Sequence, residues 1–316
     1  MIYSSYIYTR EYPSIEIMNR KKLLFIYNPH SGKAQIRSNL LDIIDILVKS
    51  GYEVTAYPTQ SPTDAARAVT DRQSGYDLVV CSGGDGTLNE VVDGMMRSKE
   101  RIPIGYIPSG STNDFARSLK IPAYMLPAAR AITDGRIFRS DIGELNGQYY
   151  VYVAAFGIFT EVTYETPQNI KNTLGHSAYI LEAIRSLPTI RAYHMHVTWE
   201  DGEIEDDFIY GMITNSISVG GFKGITGHHV LLDDGFHEVT LIKNPTTPME
   251  LSDIVRAMVD RRLDSANIIT FKSKHVKIES SEPVRWTRDG EFGGEHSSAE
   301  IIVHSQALDI IVPADQ

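Results

Sequence analysis

The sequence predicts a three-layer α/β domain with a mostly parallel sheet, followed by an antiparallel β-sandwich domain. Up to residue 141, apolar runs alternate with amphipathic helical stretches, which is typical of a parallel sheet covered by helices. After residue 141, strand-like runs follow one another, with Asp-Gly turn signals at 201–202, 234–235 and 289–290. We expect the domains to span 18–143 and 144–304. Residues 1–17 are interpreted as an N-terminal extension, with an appended strand as the alternative.

The amino-acid composition argues against several classes of protein. The chain has 316 residues and a formal net charge of −10, which argues against nucleic-acid binding. Its one cysteine, Cys81, excludes a disulfide framework and is typical of a cytoplasmic protein. No apolar run approaches the roughly 18 residues of a membrane span, and residues 1–17 lack the apolar core of a secretory signal.

The first domain is predicted to place its loops at one edge of the sheet. Its helices are expected at 34–50, from Ser61 onward with Ser61 as N-cap, and at 87–95. Its strands are expected at 23–27, 52–57, 77–81 and 104–107. Because ligands of such folds bind outside the carboxyl ends of the strands, the loops that follow these strands are the candidate site.

The second domain is predicted to be rich in strands, with helices expected at about 176–187 and 249–261. Its strands are expected at 149–156, 192–200, 204–215, 236–243, 268–271, 275–280, 284–287 and 300–304. The density of strands and Asp-Gly turns favours an antiparallel sandwich.

The central motif is the glycine turn of residues 82–86, which lies between a predicted strand and a predicted helix. Strand, glycine turn and helix together bring backbone N–H groups and a helix N-terminus to a phosphate. Asp85 lies inside this turn, and a carboxylate beside a phosphate is repelled unless a cation such as Mg²⁺ lies between them. A tight turn in any α/β domain is the alternative.

Two further loops carry chemistry that the residues alone leave open. Residues 28–33 read NPHSGK, which lacks the spacing of a P-loop. Residues 113 and 114, Asn-Asp, have the composition of a helix cap. Taken alone, the Asp-containing motif at 289–291 in the second domain is an ordinary hairpin turn. The motif at 233–235 is either a plain β-turn or, since one acid and backbone carbonyls suffice, a site for a hydrated Mg²⁺.

Taken together, the motifs resemble those of the diacylglycerol kinase catalytic-domain family, within the superfamily that also includes sphingosine kinases and NAD kinases. The resemblance rests on GGDGTLNEV at 83–91, NPHSG at 28–32, PSGSTNDF at 108–115 and DGEFGG at 289–294. Ser111 departs from the usual threonine but keeps the hydroxyl. The chain is most similar to the soluble bacterial members. The resemblance also implies that the last strand, within 305–316, returns to the first domain.

The resemblance implies an ATP- and Mg²⁺-dependent lipid kinase that transfers the γ-phosphate to the hydroxyl of diacylglycerol and yields phosphatidic acid. A sphingoid base, phosphatidylglycerol or a soluble acceptor such as NAD remain alternative substrates, and a non-catalytic binding protein is the remaining alternative. The implied nucleotide-binding residues are Asn28, Pro29, His30, Ser31, Gly32, Thr59, Gly83, Gly84, Asp85, Gly86, Thr87, Leu88, Asn89, Glu90, Ser111, Asn113, Asp114 and Asp141. Asp85, Asp114 and Asp141 are expected to form one acidic cluster around Mg²⁺.

The resemblance assigns the chemistry of the second domain to two turns. Asp289 is the expected general base, Glu291 its support, and Arg288 is expected at the surface. A second, structural Mg²⁺ is expected on Asp234 and the carbonyls of Leu231 and Phe236, with a plain β-turn as the alternative.

A lipid substrate implies peripheral contact with a membrane. Lys33, beside the first loop, and Lys171 are the candidate membrane-facing cations, with ordinary surface lysines as the alternative. The resemblance leaves open whether the chain forms a homodimer.

Overall fold

The computed structural model describes residues 20–32, 34–158, 191–219, 222–223, 230–260 and 263–314. The predicted extension at 1–17, the predicted helix at 176–187, and Lys33 and Lys171 lie outside the described residues. Within the described ranges, no helix has the length and apolar character needed to cross a membrane.

The first domain begins with alternating strands and helices. In chain order they are β1 (Lys21–Tyr27), α1 (Ile36–Lys49), β2 (Tyr52–Pro58), α2 (Asp64–Arg72), β3 (Leu78–Gly83), α3 (Asp85–Arg97), β4 (Ile104–Pro108), α4 (Asp114–Ser118) and α5 (Met125–Asp134). The strands pair in the order β2-β1-β3-β4, and every pair among these four is parallel. β1, β3 and β4 consist largely of buried side chains, as strands covered on both faces require.

The remaining strands form an antiparallel β-rich domain. They are β5 (Arg136–Leu145), β6 (Gln148–Tyr150), β7 (Val153–Gly157), β8 (Tyr193–Trp199), β9 (Gly202–Thr214), β10 (Ser218–Val219), β11 (Phe222–Lys223), β12 (His237–Lys243), β13 (Ile268–Ser273), β14 (His275–Arg288) and β15 (Glu291–Val312), with helix α6 (Pro248–Val259) between β12 and β13. The strands β7, β9, β8 and β14 pair in a closed circuit, each antiparallel to the next. An apolar cluster that includes Phe156, Phe208 and Trp286 is separate from the larger cluster, which contains the core of the first domain and extends into the second domain at residues such as Met212 and Ile242.

β15 connects the two domains. Its first half pairs with β14, and its last residues pair with β5 and, at Ile310, parallel to Ile104 of β4. The pairing with β5 shifts between His304 and Leu308, and Gln306 in this interval has a positive φ of 48°. The irregularity lets one strand serve both domains, so the two cores are joined by hydrogen-bonded backbone.

Several predicted boundaries require correction. The predicted strand 149–156 is two strands, β6 and β7, separated at residues 151 and 152. The predicted runs 275–280 and 284–287 are one strand, β14. Helix α2 begins at Asp64, and its N-cap residue is Thr63 rather than Ser61.

Candidate active site

Three loops at the carboxyl ends of β1, β3 and β4 are in backbone contact. A Cβ atom on Gly32 would lie 2.1 Å from the carbonyl oxygen of Ser109, and Gly32 has a positive φ of 57°. A Cβ atom on Gly110 would lie 2.7 Å from Cα of Gly84. Only glycine allows the loops to approach this closely. The glycines therefore build a surface of exposed backbone, which is the kind of surface that binds phosphate.

Hydrogen bonds hold the first loop against the glycine turn. The backbone N–H of Asn28 donates to the Ser82 carbonyl at 2.9 Å, and its side-chain amide lies 3.4 Å from Thr87 Oγ1. The N–H of Thr59 donates to the Tyr27 carbonyl at 2.9 Å, which places Thr59 at the same edge. The predicted residues Pro29, His30, Ser31, Gly86 and Ser111 lie on these loops or at the start of α3 and are at least partly exposed.

Asp85 is the first residue of α3 and has a largely buried carboxylate. Its Oδ2 accepts the N–H of Asn113 at 2.9 Å, whereas its buried Oδ1 has no hydrogen-bond partner. Burial raises the pKa of Asp85 to about 7, and the negative charges of Asp114 and Asp289 add to the rise. An unpartnered, buried carboxylate oxygen beside other acids fits a bound divalent cation, so Asp85 is suited to hold Mg²⁺.

The acids around Asp85 differ in part from those predicted. Asp114 is fully buried, and Ser218 Oγ donates to its Oδ1 at 2.8 Å. Burial raises the pKa of the Tyr152 phenol well above its ordinary value, and the charges of Asp85, Asp289 and Asp114 raise it further. Tyr152 therefore lies within electrostatic range of all three acids. The sequence reasoning missed Tyr152, because its surroundings read as an ordinary strand.

Asp141 does not belong to this cluster, which corrects the prediction. Its Oδ2 accepts the N–H of Gly235 and its Oδ1 the N–H of Gln306, each at 2.6 Å. Burial raises the pKa of Asp141, and the acids that add to the rise are Asp234 and Asp233, not Asp85. Asp141 thus ties β5 to the turn before β12 and to the irregularity in β15.

Two side chains that were predicted to bind nucleotide, Leu88 and Glu90, instead stabilise the first domain. The Leu88 side chain is buried in the core of the first domain. The two carboxylate oxygens of Glu90 accept the N–H groups of Thr63 at 2.8 Å and Ala65 at 3.1 Å. Glu90 supplies the cap that the N-cap residue of α2 does not, since Thr63 makes no side-chain capping bond.

Asp289 accepts four hydrogen bonds. Its Oδ2 accepts the N–H of Val151 at 2.7 Å and the side-chain amide of Asn89 at 2.6 Å. Its Oδ1 accepts the N–H groups of Tyr152 at 2.9 Å and Val153 at 3.0 Å. Burial raises the pKa of Asp289, and these hydrogen bonds oppose the rise. The Asn89 bond joins α3 of the first domain to the β14–β15 turn of the second.

Three backbone N–H groups are available to Asp289 because the predicted strand 149–156 is interrupted at residues 151 and 152. The N–H groups of residues 151 and 152, between β6 and β7, and of Val153, the first residue of β7, all point toward one carboxylate. Arg288 was predicted at the surface, but this prediction is wrong: it is partly buried, and its Nη1 donates to the Tyr149 carbonyl. Asn89 also donates to that carbonyl at 3.3 Å.

Glu291 lies beside the glycine turn. A Cβ atom on Gly86 would lie 3.6 Å from Glu291 Oε1, and the Glu291 side chain is exposed. The position of this carboxylate at the first turn of α3 is electrostatically favourable, because helix N-termini attract negative charge.

The turn predicted to hold a second metal has a cation from the protein itself. Asp234 Oδ1 accepts the N–H of Phe236 at 3.0 Å, and Asp234 Oδ2 lies 2.8 Å from Nζ of Lys272. An ammonium group at this distance repels a divalent cation. The predicted set of Leu231, Asp234 and Phe236 therefore does not fit a metal ion. No group of three or more metal-ligating side chains occurs in the ranges that the structure describes.

Two known family models match successive parts of the chain. Residues 22–145 match the diacylglycerol kinase catalytic domain, and residues 153–312 match the YegS C-terminal NAD kinase beta sandwich-like domain. A diacylglycerol kinase of Staphylococcus epidermidis is 34% identical over 298 residues, which cover 94% of this chain and 93% of the relative. A diacylglycerol kinase of Bacillus subtilis is 33% identical over 276 residues, covering 87% and 91%.

A solved structure shares the fold. The crystal structure of a diacylglycerol kinase from Bacillus anthracis superposes with a TM-score of 0.74 at 24% identity, covering 93% of this chain and 97% of that one. The two matched domains and the similarity over nearly the whole length identify the chain as a kinase. The chain belongs to the diacylglycerol kinase family.

Proposed function

We propose that the protein transfers the γ-phosphate of Mg²⁺-bound ATP to the hydroxyl of diacylglycerol and yields phosphatidic acid. The observation that carries the proposal is Asp85: a buried carboxylate with one unpartnered oxygen, at a strand–glycine–helix turn, electrostatically coupled to Asp289. The names of the relatives support diacylglycerol as the acceptor. In this proposal the nucleotide domain is 18–143 with strand 305–316, and the second domain is 144–304.

The nucleotide would bind at the three contacting loops. Backbone N–H groups near Gly32, Gly84 and Gly110 and the N-terminus of α3 would bind phosphate oxygens. Mg²⁺, when bound, neutralises the phosphate charge and stabilises the charge that develops on the transferred group. Asp85 would hold this ion through Oδ1 while Asn113 keeps Oδ2 in place.

Asp289 would accept the proton of the lipid hydroxyl. Three of its four hydrogen-bond donors are backbone groups, whereas the fourth, the Asn89 amide, belongs to a side chain that can rotate. We propose that the acceptor hydroxyl takes the place of this amide and donates to Asp289 Oδ2. Phosphoryl transfer with a loose transition state requires mainly orientation and late proton removal, so a carboxylate is an adequate base. Glu291, at the first turn of α3, would help to orient the reacting groups.

The substrate requires contact with a membrane surface. Phe292, next to Glu291 in the catalytic turn, is 51% exposed and offers an apolar contact for lipid. Each lysine near an anionic surface contributes about 1 kcal/mol. Replacing Lys33 and Lys171 together by Glu should weaken turnover on anionic vesicles, more so at low salt, and leave turnover of short-chain diacylglycerol unchanged. Equal loss on both substrates would contradict a role in membrane contact.

The acceptor can be identified with radiolabelled ATP and a panel of acceptors. Diacylglycerol, a sphingoid base and phosphatidylglycerol are offered in mixed micelles, and NAD is offered in solution. We expect labelled phosphatidic acid in a Mg²⁺-dependent reaction, and none from the Asp85→Asn variant. A labelled product from another acceptor, with diacylglycerol untouched, would overturn the proposed substrate but not the site.

A further inference from the structure

The turn before β12 is organised around a lysine. Lys272 lies in β13, directly opposite Glu238 in the antiparallel pair of β12 and β13. Its Nζ lies 2.8 Å from Asp234 Oδ2 and 3.1 Å from Glu238 Oε1. Cross-strand pairing fixes the position of Lys272, since opposed residues of an antiparallel pair project from the same face of the sheet.

We propose that the ammonium group of Lys272 is the structural cation of this turn and that the protein binds no metal ion there. Both carboxylate oxygens of Asp234, the one acidic side chain of the predicted set, are already engaged. Asp234 accepts the N–H of Phe236 and pairs with Lys272, and the neighbouring Asp141 accepts backbone N–H groups with both of its oxygens.

The charge balance supports the assignment. Glu238 is almost fully buried, with its side chain 7% exposed, and a buried carboxylate that stays ionised requires a cationic partner. Lys272 reaches both carboxylates at once, so one ammonium group does what a divalent ion would do by bridging two carboxylates. Because Lys272 is part of β13, its effective concentration at the turn is far above that of free Mg²⁺ in solution.

The assignment has a consequence for stability that is independent of kinase activity. Loss of Lys272 leaves the buried carboxylate of Glu238 without its cationic partner, so Lys272→Met should lower the Tm on the order of 5 °C. Lys277→Met is the matched control, because Lys277 pairs with Glu279 at an exposed position on β14, the next strand along the chain. The control should shift the Tm by less than about 2 °C, as expected for a surface ion pair.

Two measurements test the proposal on the nucleotide-free protein. The first is the change in Tm between buffer with EDTA and buffer with millimolar Mg²⁺, compared in the wild type and in Asp234→Asn. The second is the number of Mn²⁺ ions bound, counted by electron paramagnetic resonance in the same two proteins. We expect both readouts to be the same in the two proteins, because any ion that binds does so elsewhere.

The outcomes that overturn the proposal are specific. A bound Mn²⁺ that disappears in Asp234→Asn would place a metal at this turn, as would a Mg²⁺-dependent rise in Tm that only the wild type shows. A Tm of Lys272→Met equal to that of the Lys277→Met control would remove Lys272 from its structural role. Should Lys272→Met fail to fold, the Mn²⁺ count on the wild type and Asp234→Asn still decides the question.

Discussion

The exchange of Asp289 for Asn should impair both folding stability and catalysis, although the two side chains are nearly isosteric. The carboxylate accepts four hydrogen bonds, two on each oxygen. An amide can accept on one side only. If the amide that replaces the carboxylate keeps its oxygen toward the N–H groups of Tyr152 and Val153, its NH₂ group faces the N–H of Val151 and the Asn89 amide.

The expected loss in the free energy of unfolding follows from the number of donors that Asp289→Asn leaves without an acceptor. Asn89 can rotate its amide and present its oxygen to the new NH₂ group, but it then loses its bond to the Tyr149 carbonyl. The N–H of Val151 remains without an acceptor, which costs about 1–3 kcal/mol, and the lost bond adds about 1 kcal/mol. We therefore expect Asp289→Asn to reduce the free energy of unfolding by about 2–4 kcal/mol. Loss of the general base should reduce kcat by roughly 10²–10⁴.

A second variant separates the two effects. Thr214 Oγ1 donates to the Tyr152 carbonyl at 2.6 Å, so Thr214→Val perturbs the same backbone segment while it leaves the carboxylate of Asp289 intact. Urea denaturation should show a loss of about 1–2 kcal/mol for Thr214→Val, the usual cost of a buried hydrogen bond. Its kcat, measured with diacylglycerol in mixed micelles well below both Tm values, should stay close to that of the wild type.

Three results would contradict this reasoning. An unfolding free energy of Asp289→Asn within about 0.5 kcal/mol of the wild type would show that the four hydrogen bonds contribute little. A wild-type kcat for Asp289→Asn would remove Asp289 from proton transfer. Equal losses of kcat in Asp289→Asn and Thr214→Val would assign the loss to the disturbed segment rather than to the base.

The remaining predictions concern the nucleotide side of the site. Asp85→Asn should abolish Mg²⁺-dependent turnover but raise the Tm in Mg²⁺-free buffer at about pH 8, because it removes a buried charge. In the folded wild type the pKa of Asp85 is raised to about 7. The stability that protonated Asp85 contributes is therefore complete below about pH 4 and is lost as the pH rises through 7. Because protonated Asp85 cannot hold Mg²⁺, the affinity for Mg²⁺–ATP, measured by calorimetry, should fall as the pH drops below 7. Gly110→Ala should raise the KM for ATP at least tenfold, since its Cβ would meet Gly84; an unchanged KM would mean that the loops can separate. Glu90→Gln should cost about 1–3 kcal/mol of stability by urea denaturation with little change in kcat, and the reverse pattern would return Glu90 to nucleotide binding.

An element of the fold could be predicted where its sequence pattern lies within a few neighbouring residues. Leu23–Ile26 are fully buried in β1, and such continuous apolar runs indicate a central strand without further information. Helix α5 was not predicted, because Pro127 lies in its first turn and proline in a sequence is typical of a loop. The first turn of a helix nevertheless tolerates proline. β5 was missed because Arg136, Arg139 and Asp141 interrupt its apolar pattern.

The positions of the site residues could likewise be predicted only where the sequence pattern is contiguous. The glycine turn and Asp85 could be predicted because strand, turn and helix are contiguous in the chain. The placement of Asp141 was wrong because the groups that bind it come from Gly235 and Gln306, far along the chain. Lys272 could not be found from spacing, since only the pairing of β12 with β13 brings it to Asp234.

The geometry of α3 sets the relation between the phosphate site and the base. Asp85 and Asn89 are four residues apart, so they lie on one face of the helix, about 6 Å apart along its axis. Asp85 is suited to hold the metal, and Asn89 binds Asp289. About one helical turn therefore separates the proposed metal ligand from the residue that binds the proposed base. When the acceptor hydroxyl takes the place of the Asn89 amide, the N–H groups of residues 151–153 still hold Asp289 in position. A movement between the domains would carry Asp289 away from Asp85, so phosphoryl transfer to the lipid hydroxyl is expected only while the domains are docked as they are here.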